Sequence, residues 1–378
     1  MTEPIAHVTI PPPPLAPASP VEFPMTWLLD HASNPIRYRA IVDVARLGGD
    51  IAREAAVLPY AHEPALLLAL SQSVDGIWNG AMLDVPPARG ETFERVGTIN
   101  AFRRLLEYGW DKDSPPLLRT RRTLFRLLAE DDDPAYLFEL APRVAERDVD
   151  LDRRGRAILR EAAAAALAQA GYEGDPRLRG AARRILDRID GFLRSPLALK
   201  PWIRVGNKQV LAPEAAPPSI YALSMLAYMP LFRNENHVQL DRLLHYISQP
   251  TPRQELAQLC GSTVVAQPHL VLGDMVPNRN VADADVPFAL AWLELMARLT
   301  FLRRHETWSK LFDRFLDDRD RDLVWHPHKG LAMPRSSNPF VWPSFPLEQM
   351  SSGDERWTDV TFRLGLIARL SGRPLELT

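Results

Sequence analysis

Apolar residues recur at helical spacing along almost the whole chain from Met25 onward, and the alternating runs of Val, Ile and Thr that indicate strands are scarce. Helix starts are marked by proline, for example at Pro35, Pro64 and Pro176. Proline suits a first turn because its missing N–H has no intrahelical partner to lose. The sequence therefore predicts an all-α fold, with a single helical domain over residues 25–378.

The predicted helices also come in pairs. The pairs are residues 95–108 with 117–128, 219–229 with 238–248, and 286–299 with 307–316. In the last two pairs the first helix is apolar nearly all round, whereas the second has a polar face. That asymmetry fits an inner ring of buried helices wrapped by an outer, half-solvated ring.

Composition and charge restrict the classes of protein that fit. The apolar fraction of 46% is ample for a core, and the net charge of -2 gives no reason to propose nucleic acid as a partner. Cys260 is the only cysteine, so no disulfide can form within the chain. No apolar run approaches the length of a transmembrane segment, and no signal peptide is recognisable, which predicts a cytoplasmic protein. Residues 1–24 are rich in proline and predict a disordered tail.

One short motif resembles a known repeat. QSVDGIW, Gln72 to Trp78, has the form Q-x-x-x-G-x-W. This form is similar to the core of the QW repeat of squalene-hopene cyclases and related prenyltransferase-type α/α toroids. The resemblance covers residues 25–128 and 219–370, whereas residues 133–195 are more similar to HEAT-type helical repeats.

The resemblance implies an α/α toroid of helical hairpins with a HEAT-like middle portion. It also implies structural roles for Gln72, Gly76 and Trp78, which in such repeats join an outer helix end to the next helix. A central cavity would bind an apolar or isoprenoid-like small molecule. We expect no cofactor.

The protonating cyclases of this superfamily carry an acidic D-x-D-D motif, whose middle Asp is the acid. The nearest match is Asp283-Ala284-Asp285-Val286, which lacks the last Asp. Asp283 and Asp285 are therefore the candidate catalytic residues. The alternative is that Asp285 caps the helix that includes Pro287.

Metal-like spacing occurs once, at His326 and His328 in VWHPHKG, but no third ligand is identifiable, so we predict no metal site. Two long segments, residues 250–285 and 326–350, adjoin the hairpin 286–316. Two alternatives are open for these segments. They pack over the outer surface, or they close over a mouth beside Asp283 and Asp285, with His326 or His328 hydrogen-bonded to a carboxylate.

Aromatic residues on the apolar helices are candidates for lining the cavity, because their faces stabilise cations or stack on sugars. With the two histidines, the candidate binding residues are Trp292, Phe288, Tyr221, Tyr228, His326 and His328.

Two other functions stay open. The chain could be a non-catalytic helical-repeat scaffold that binds a protein partner, or an (α/α) barrel that acts on carbohydrate with paired carboxylates.

Overall fold

The computed structural model describes residues 19–87, 93–129, 149–252, 255–276, 281–328, 336–348 and 353–378. Those residues form fourteen α-helices. In chain order they are α1 Met25–His31, α2 Asn34–Arg39, α3 Gly49–Ala55, α4 Glu63–Leu70, α5 Thr98–Glu107, α6 Pro115–Leu127, α7 Val149–Gln169, α8 Pro176–Leu193, α9 Ile220–Ala227, α10 Pro230–Glu235, α11 His237–Ile247, α12 Val286–Arg298, α13 Glu306–Asp317 and α14 Thr358–Leu370. A π-helical turn, Ala40–Ala45, continues α2.

The prediction of a helix-rich chain is confirmed. Proline stands in the first turn of α2, α4 and α8, as expected from its geometry. At the start of α8, the Asp175 side chain accepts a hydrogen bond from the Arg177 backbone N–H at 2.9 Å. Residues 1–18 and the Asp133-Pro134 helix start lie outside the described residues.

The prediction of a purely α-helical fold is wrong, because the described residues also form six strands in two sheets. Four of them make one sheet in the order β2 (Trp202–Val205), β3 (Lys208–Leu211), β4 (Ala257–Cys260) and β5 (Thr263–Ala266). The outer pairs are antiparallel hairpins, and β3 joins β4 in parallel, with Leu211 opposite Gln258. The segment between α8 and α9, which contains β2 and β3, therefore pairs with the segment between α11 and α12, which contains β4 and β5.

The second sheet joins the two ends of the described chain. Strand β1 (Val21–Phe23) runs parallel to β6 (Leu375–Leu377), with Val21 opposite Leu375. Residues 21–23 fall inside the predicted disordered tail of residues 1–24, so ordered structure begins earlier than predicted.

Six helices contribute buried residues to the main core and contact one another in turn: α2 with its π-helical turn, α5, α7, α9, α12 and α14. Their contacts run in a circuit, from α5 to α7, α9, α12 and α14, and from α14 to α2. The circuit returns to α5 through the 3-10 turn Leu58–Ala61 and α4. We call these six the inner helices.

The remaining long helices bury one face only. In α11 the buried residues are Leu240, Leu243, Leu244 and Ile247, which follow the spacing of a helix with one core-facing stripe. In α13 the same spacing buries Trp308, Leu311, Phe312 and Phe315. In the predicted pairs, α9 with α11 and α12 with α13, the apolar first helix is therefore buried on most sides, whereas the second helix is buried on one face. No helix in the described part of the chain is long and apolar enough to cross a bilayer.

Candidate functional site: a buried charge cluster between the inner helices

Oppositely charged side chains meet where the inner helices converge. We call this set the central charge cluster, and its members are Arg39, Glu107, Glu294, Arg298 and Arg363. All five residues are buried or nearly so, and they come from α2, α5, α12 and α14. Charged residues are rarely so buried unless they are paired.

Glu107 lies at the centre of the cluster. Its Oε2 accepts hydrogen bonds from Arg39 and from Arg363, the latter at 3.1 Å, and its Oε1 accepts one from the Gln169 amide at 2.7 Å. Arg363 also donates to Glu294 at 2.6 Å, and Glu294 pairs with Arg298 at 2.9 Å. The cluster therefore links inner helices that are far apart in sequence.

Electrostatics keep both glutamates of the cluster ionised. Burial by itself raises the pKa of Glu107, but the neighbouring charges of Arg39 and Arg363 outweigh burial and lower it to about 2. Burial likewise acts to raise the pKa of Glu294, and Arg363 and Arg298 reverse that effect to a net lowering. The cluster is therefore a set of fixed charges at neutral pH.

The local sequence places these charges four residues apart on apolar helices. Residues four apart lie on the same helix face, one turn from each other. The pairs with this spacing are Arg103 and Glu107, Glu294 and Arg298, and Asp359 and Arg363. Sequence reasoning missed this set. The pattern of charged residues on apolar helices could have indicated it. A charged side chain on a helix that is buried all round is destabilising unless opposite charges on other helices compensate it.

A cleft opens beside the cluster, and we call it the central cleft. It encloses about 30 Å³, enough for one or two water molecules or a small polar group. Its lining comes from α5, α9, α12 and the segment 336–348, and consists of Arg103, Glu107, Ser224, Tyr228, Ala291, Glu294, Leu295, Arg298, Phe340 and Ser344.

Segment 336–348 closes one side of the cluster. Arg104 donates to the carbonyls of Trp342, at 2.8 Å, and of Pro346, and Arg363 donates to the Ser344 carbonyl. The Asp359 carboxylate accepts from the backbone N–H of Glu348 at 3.2 Å. The predicted long segment 326–350 thus places its second half against the central cleft.

The two candidate acids lie elsewhere. Asp283 and Asp285 stand at the start of α12, where both are partly buried. Asp285 occupies the position before the helix, but its side chain makes no capping hydrogen bond. Glu294, which lines the cleft, is nine residues further on, roughly 14 Å along the helix axis. The structure therefore separates the predicted acids from the charge cluster.

The two histidines lie near Asp283 but do not share a partner. The backbone N–H of His328 donates to Asp283 Oδ1 at 3.0 Å. The His328 ring contacts Asp318 at 3.2 Å, and the His326 ring contacts Asp320 at 2.8 Å. The expected contact between this segment and Asp283 is present, but it is made by the backbone and not by an imidazole. Among the described residues, no group of three or more potential ligands is placed to hold a metal ion.

Of the aromatic candidates, Tyr228 lines the central cleft, with its ring 4.5 Å from the Arg298 guanidinium. Phe288 packs edge-on against Phe340, which also lines the cleft. Trp292 is fully buried against Trp308, with ring centroids 6.2 Å apart. Tyr221 is buried beside His269, whose ring centroid lies 6.5 Å away.

The QW-like motif lies at the junction of α4 and α6. The Gln72 amide donates to the Pro116 carbonyl and to the Thr120 hydroxyl, both at 2.9 Å. Gly76 has a φ of +80°, and a Cβ there would lie 3.0 Å from the Arg119 Cβ. Trp78 is fully buried, and its indole donates to the Leu68 carbonyl at 2.8 Å. These contacts tie the end of one helix to the first turns of another.

Comparison of the chain with protein-family models, with curated proteins and with solved structures finds no match. The fold and the site therefore have to be interpreted from their own geometry.

Proposed function

We propose that the inner helices form a closed α/α toroid, and that the protein binds a small polar ligand in the central cleft. The circuit of contacts among the inner helices supports the ring, and the half-buried helices outside them supply its outer layer. In this arrangement α7, which lies in the described part of the HEAT-like portion, belongs to the ring, because it packs against both α5 and α9.

One observation carries the ligand proposal. The convergence point of the inner helices contains charged side chains and an open cleft, where an apolar core would be more stable. Replacing buried ion pairs by apolar residues is often neutral or stabilising, so a protein gains little stability from such a cluster. A binding role for the charged groups explains why this position is polar.

The resemblance to cyclases implies an apolar, isoprenoid-like ligand instead. Such a ligand needs a cavity lined by apolar and aromatic side chains. The central cleft offers Phe340 and Leu295, but it also exposes Glu107, Glu294 and Arg298 to any occupant. We therefore place a polar ligand first and keep the isoprenoid-like ligand as the competing outcome of the same experiment.

The experiment uses a variant that fills the cleft without changing its charge. Ala291 lines the cleft, and Ala291→Leu adds three carbon atoms there. Ala282→Leu makes the same change at an exposed position and serves as the matched control. Thermal-shift assays would compare small carboxylic acids, monosaccharides and isoprenoid alcohols on all three proteins.

We expect at least one polar compound to stabilise the wild type and Ala282→Leu, and to lose that effect in Ala291→Leu. If only isoprenoid alcohols stabilise the wild type, and Ala291→Leu abolishes that stabilisation, the ligand of the cleft is apolar and not polar. An effect that survives in Ala291→Leu would show that the ligand binds elsewhere.

A second candidate function is a scaffold for a protein partner. Apolar side chains are exposed on and after α4, including Leu67, Leu70 and Val74, the last 96% exposed. Adjacent exposed apolar residues are typical of interaction sites. A second copy of the chain is the first partner to test, by sedimentation velocity of the wild type and of Leu70→Glu. Loss of a concentration-dependent dimer in Leu70→Glu supports the scaffold, and a monomer in both proteins excludes self-association on this surface.

A further inference from the structure

Arg103 is the one arginine lining the central cleft for which the described residues provide no carboxylate partner. It is 5% exposed. Its Nε donates to Gln169 Oε1 at 2.8 Å, and its Nη2 donates to the Ser224 hydroxyl at 3.3 Å. Its Nη1 is buried without a hydrogen-bond partner. Both partners of Arg103 are neutral, whereas Arg298 on the other side of the cleft pairs with Glu294.

The nearest acid on the same helix cannot balance this charge. Glu107 lies one turn after Arg103, but its Oε2 is taken by Arg39 and Arg363, and its Oε1 by Gln169. Gln169 thus bridges the two residues, since its oxygen accepts from Arg103 and its nitrogen donates to Glu107. Arg103 is therefore a buried guanidinium whose hydrogen-bond partners among the described residues are both neutral.

Two neutral donors line the same cleft. The Tyr228 hydroxyl has no hydrogen-bond partner among the described residues, and burial raises the pKa of Tyr228 to about 12, so its proton is retained. The Ser224 hydroxyl accepts from Arg103 and keeps its own proton for a further acceptor. Arg103, Tyr228 and Ser224 therefore present several hydrogen-bond donors to one small space.

We propose that the ligand of the central cleft carries a carboxylate, which is bound by Arg103 Nη1 together with the Tyr228 and Ser224 hydroxyls. This inference rests on the proposed binding function and names the chemical class of the ligand. A buried charge is costly unless it is paired, and a carboxylate supplies both the missing charge and acceptor oxygens for the unused donors.

The remaining lining selects a monoanion over a dianion. Glu107 and Glu294 are both ionised and paired with arginines, and of the two arginines that line the cleft only Arg103 has no carboxylate partner among the described residues, so the cleft offers one unmatched positive charge. The volume of about 30 Å³ admits only a small group. A small organic acid is therefore the expected class, and inorganic phosphate should bind more weakly.

The test uses sodium acetate as the probe, sodium chloride at equal ionic strength as the reference, and inorganic phosphate, a mixture of monoanion and dianion at pH 7, as the more negatively charged anion. Thermal unfolding of the full chain at pH 7 would be followed for wild type, Arg103→Gln and Tyr228→Phe. Arg53→Gln is the matched control, because Arg53 is exposed and lies far along the chain from the cleft.

We expect acetate to raise the melting temperature of the wild type and of Arg53→Gln above the chloride reference. The effect should be lost in Arg103→Gln and weakened several-fold in Tyr228→Phe. Without acetate, Arg103→Gln should melt at or above the wild-type temperature, because the substitution removes an unpaired buried charge and keeps groups that can bond Gln169 and Ser224. A purely structural arginine would instead give a lower melting temperature.

Equal effects of acetate and chloride on the wild type would overturn the inference, as would an acetate effect that survives in Arg103→Gln. If the Arg103→Gln variant does not fold, Tyr228→Phe provides the test. An acetate effect that is undiminished in Tyr228→Phe would overturn the proposed site, and a weakened effect would support it. These outcomes differ from failure of the proposed function. A neutral compound that binds the cleft in the Ala291→Leu test would keep the function and reject the carboxylate.

Discussion

Arg363 of α14 and Glu294 of α12 form a buried ion pair in the central charge cluster, with 2.6 Å between Nη1 and Oε2. Arg363 also donates to Glu107, so one guanidinium bridges two buried carboxylates. Removing one partner of such a network leaves the others buried without compensation.

We therefore expect Arg363→Met to destabilise the protein by about 3 to 5 kcal/mol, the range for breaking a buried ion pair. Urea unfolding at pH 7 measures this loss. Arg53→Met is the control, since Arg53 is 79% exposed and its pair with Asp50 should contribute less than about 1 kcal/mol. Equal unfolding midpoints for the two variants would contradict the central role of Arg363.

Asp359 should make the stability depend on pH. Burial raises the pKa of Asp359 from 3.8 to about 6, even though Arg363 acts in the opposite direction. Because the folded-state pKa lies above the unfolded value, the favourable contribution of the protonated carboxyl is complete below pH 3.8 and is lost as the pH rises through about 6.

At pH 7.5 the Asp359→Asn variant should therefore be more stable than the wild type, by roughly 3 kcal/mol at most, since one pKa unit corresponds to about 1.4 kcal/mol. At pH 4 the two proteins should have nearly equal stability. Urea midpoints measured between pH 4 and 7.5 give the comparison. A variant that is less stable than the wild type at pH 7.5 would show that the ionised carboxylate is stabilising where it lies.

Trp78→Ala should destabilise the protein without affecting any ligand selectively. The indole is fully buried and donates to the Leu68 carbonyl, so its removal leaves a cavity and deletes one of the two side-chain hydrogen bonds that this carbonyl accepts, the other coming from the Ser71 hydroxyl. The expected loss is about 3 to 5 kcal/mol. Leu70→Ala, at a position that is 80% exposed, is the control and should change little. A stable Trp78→Ala protein that no longer binds a cleft ligand would argue for a direct role in binding.

Asp283 and Asp285 should differ in a measurable way. Asp283 Oδ1 accepts from the His328 backbone N–H, whereas the Asp285 side chain makes no capping bond. Loss of one hydrogen bond costs about 1 kcal/mol, so Asp283→Ala should speed hydrogen exchange of the His328 amide roughly five-fold. Asp285→Ala should leave that amide unchanged, and equal rates in both variants would mean that another contact protects it.

Helix positions were readable in the sequence because they depend on local features. Predicted residues 286–299 became Val286–Arg298, and predicted 238–248 became His237–Ile247, since apolar spacing and proline starts act within a few turns. The four-stranded sheet was missed because each strand has only four residues. Its hairpin loops, Gly206-Asn207 and Gly261-Ser262, are nevertheless two-residue turns of a type that marks hairpins.

The candidate site was less predictable, for a different physical reason. Helical periodicity shows that Arg103 and Glu107 share a face, but it does not show that Arg39 and Arg363, 68 and 256 residues from Glu107, meet there. Such contacts are set by the packing of whole helices. Of the residues predicted to bind a ligand, Tyr228 lines the cleft, whereas the predicted catalytic residues, Asp283 and Asp285, mark the start of α12.

The parallel pairing of β1 with β6 has a consequence for how the chain folds. Val21 and Leu375 are neighbours in space at the greatest separation in sequence that any strand pair of the described chain shows. During synthesis, β1 leaves the ribosome long before its partner exists, and the loop that their pairing closes contains all fourteen helices of the described residues. Entropy disfavours closing so long a loop until those helices have packed and shortened the path between its ends. The pairing of β1 with β6 is therefore expected to be a late event in folding.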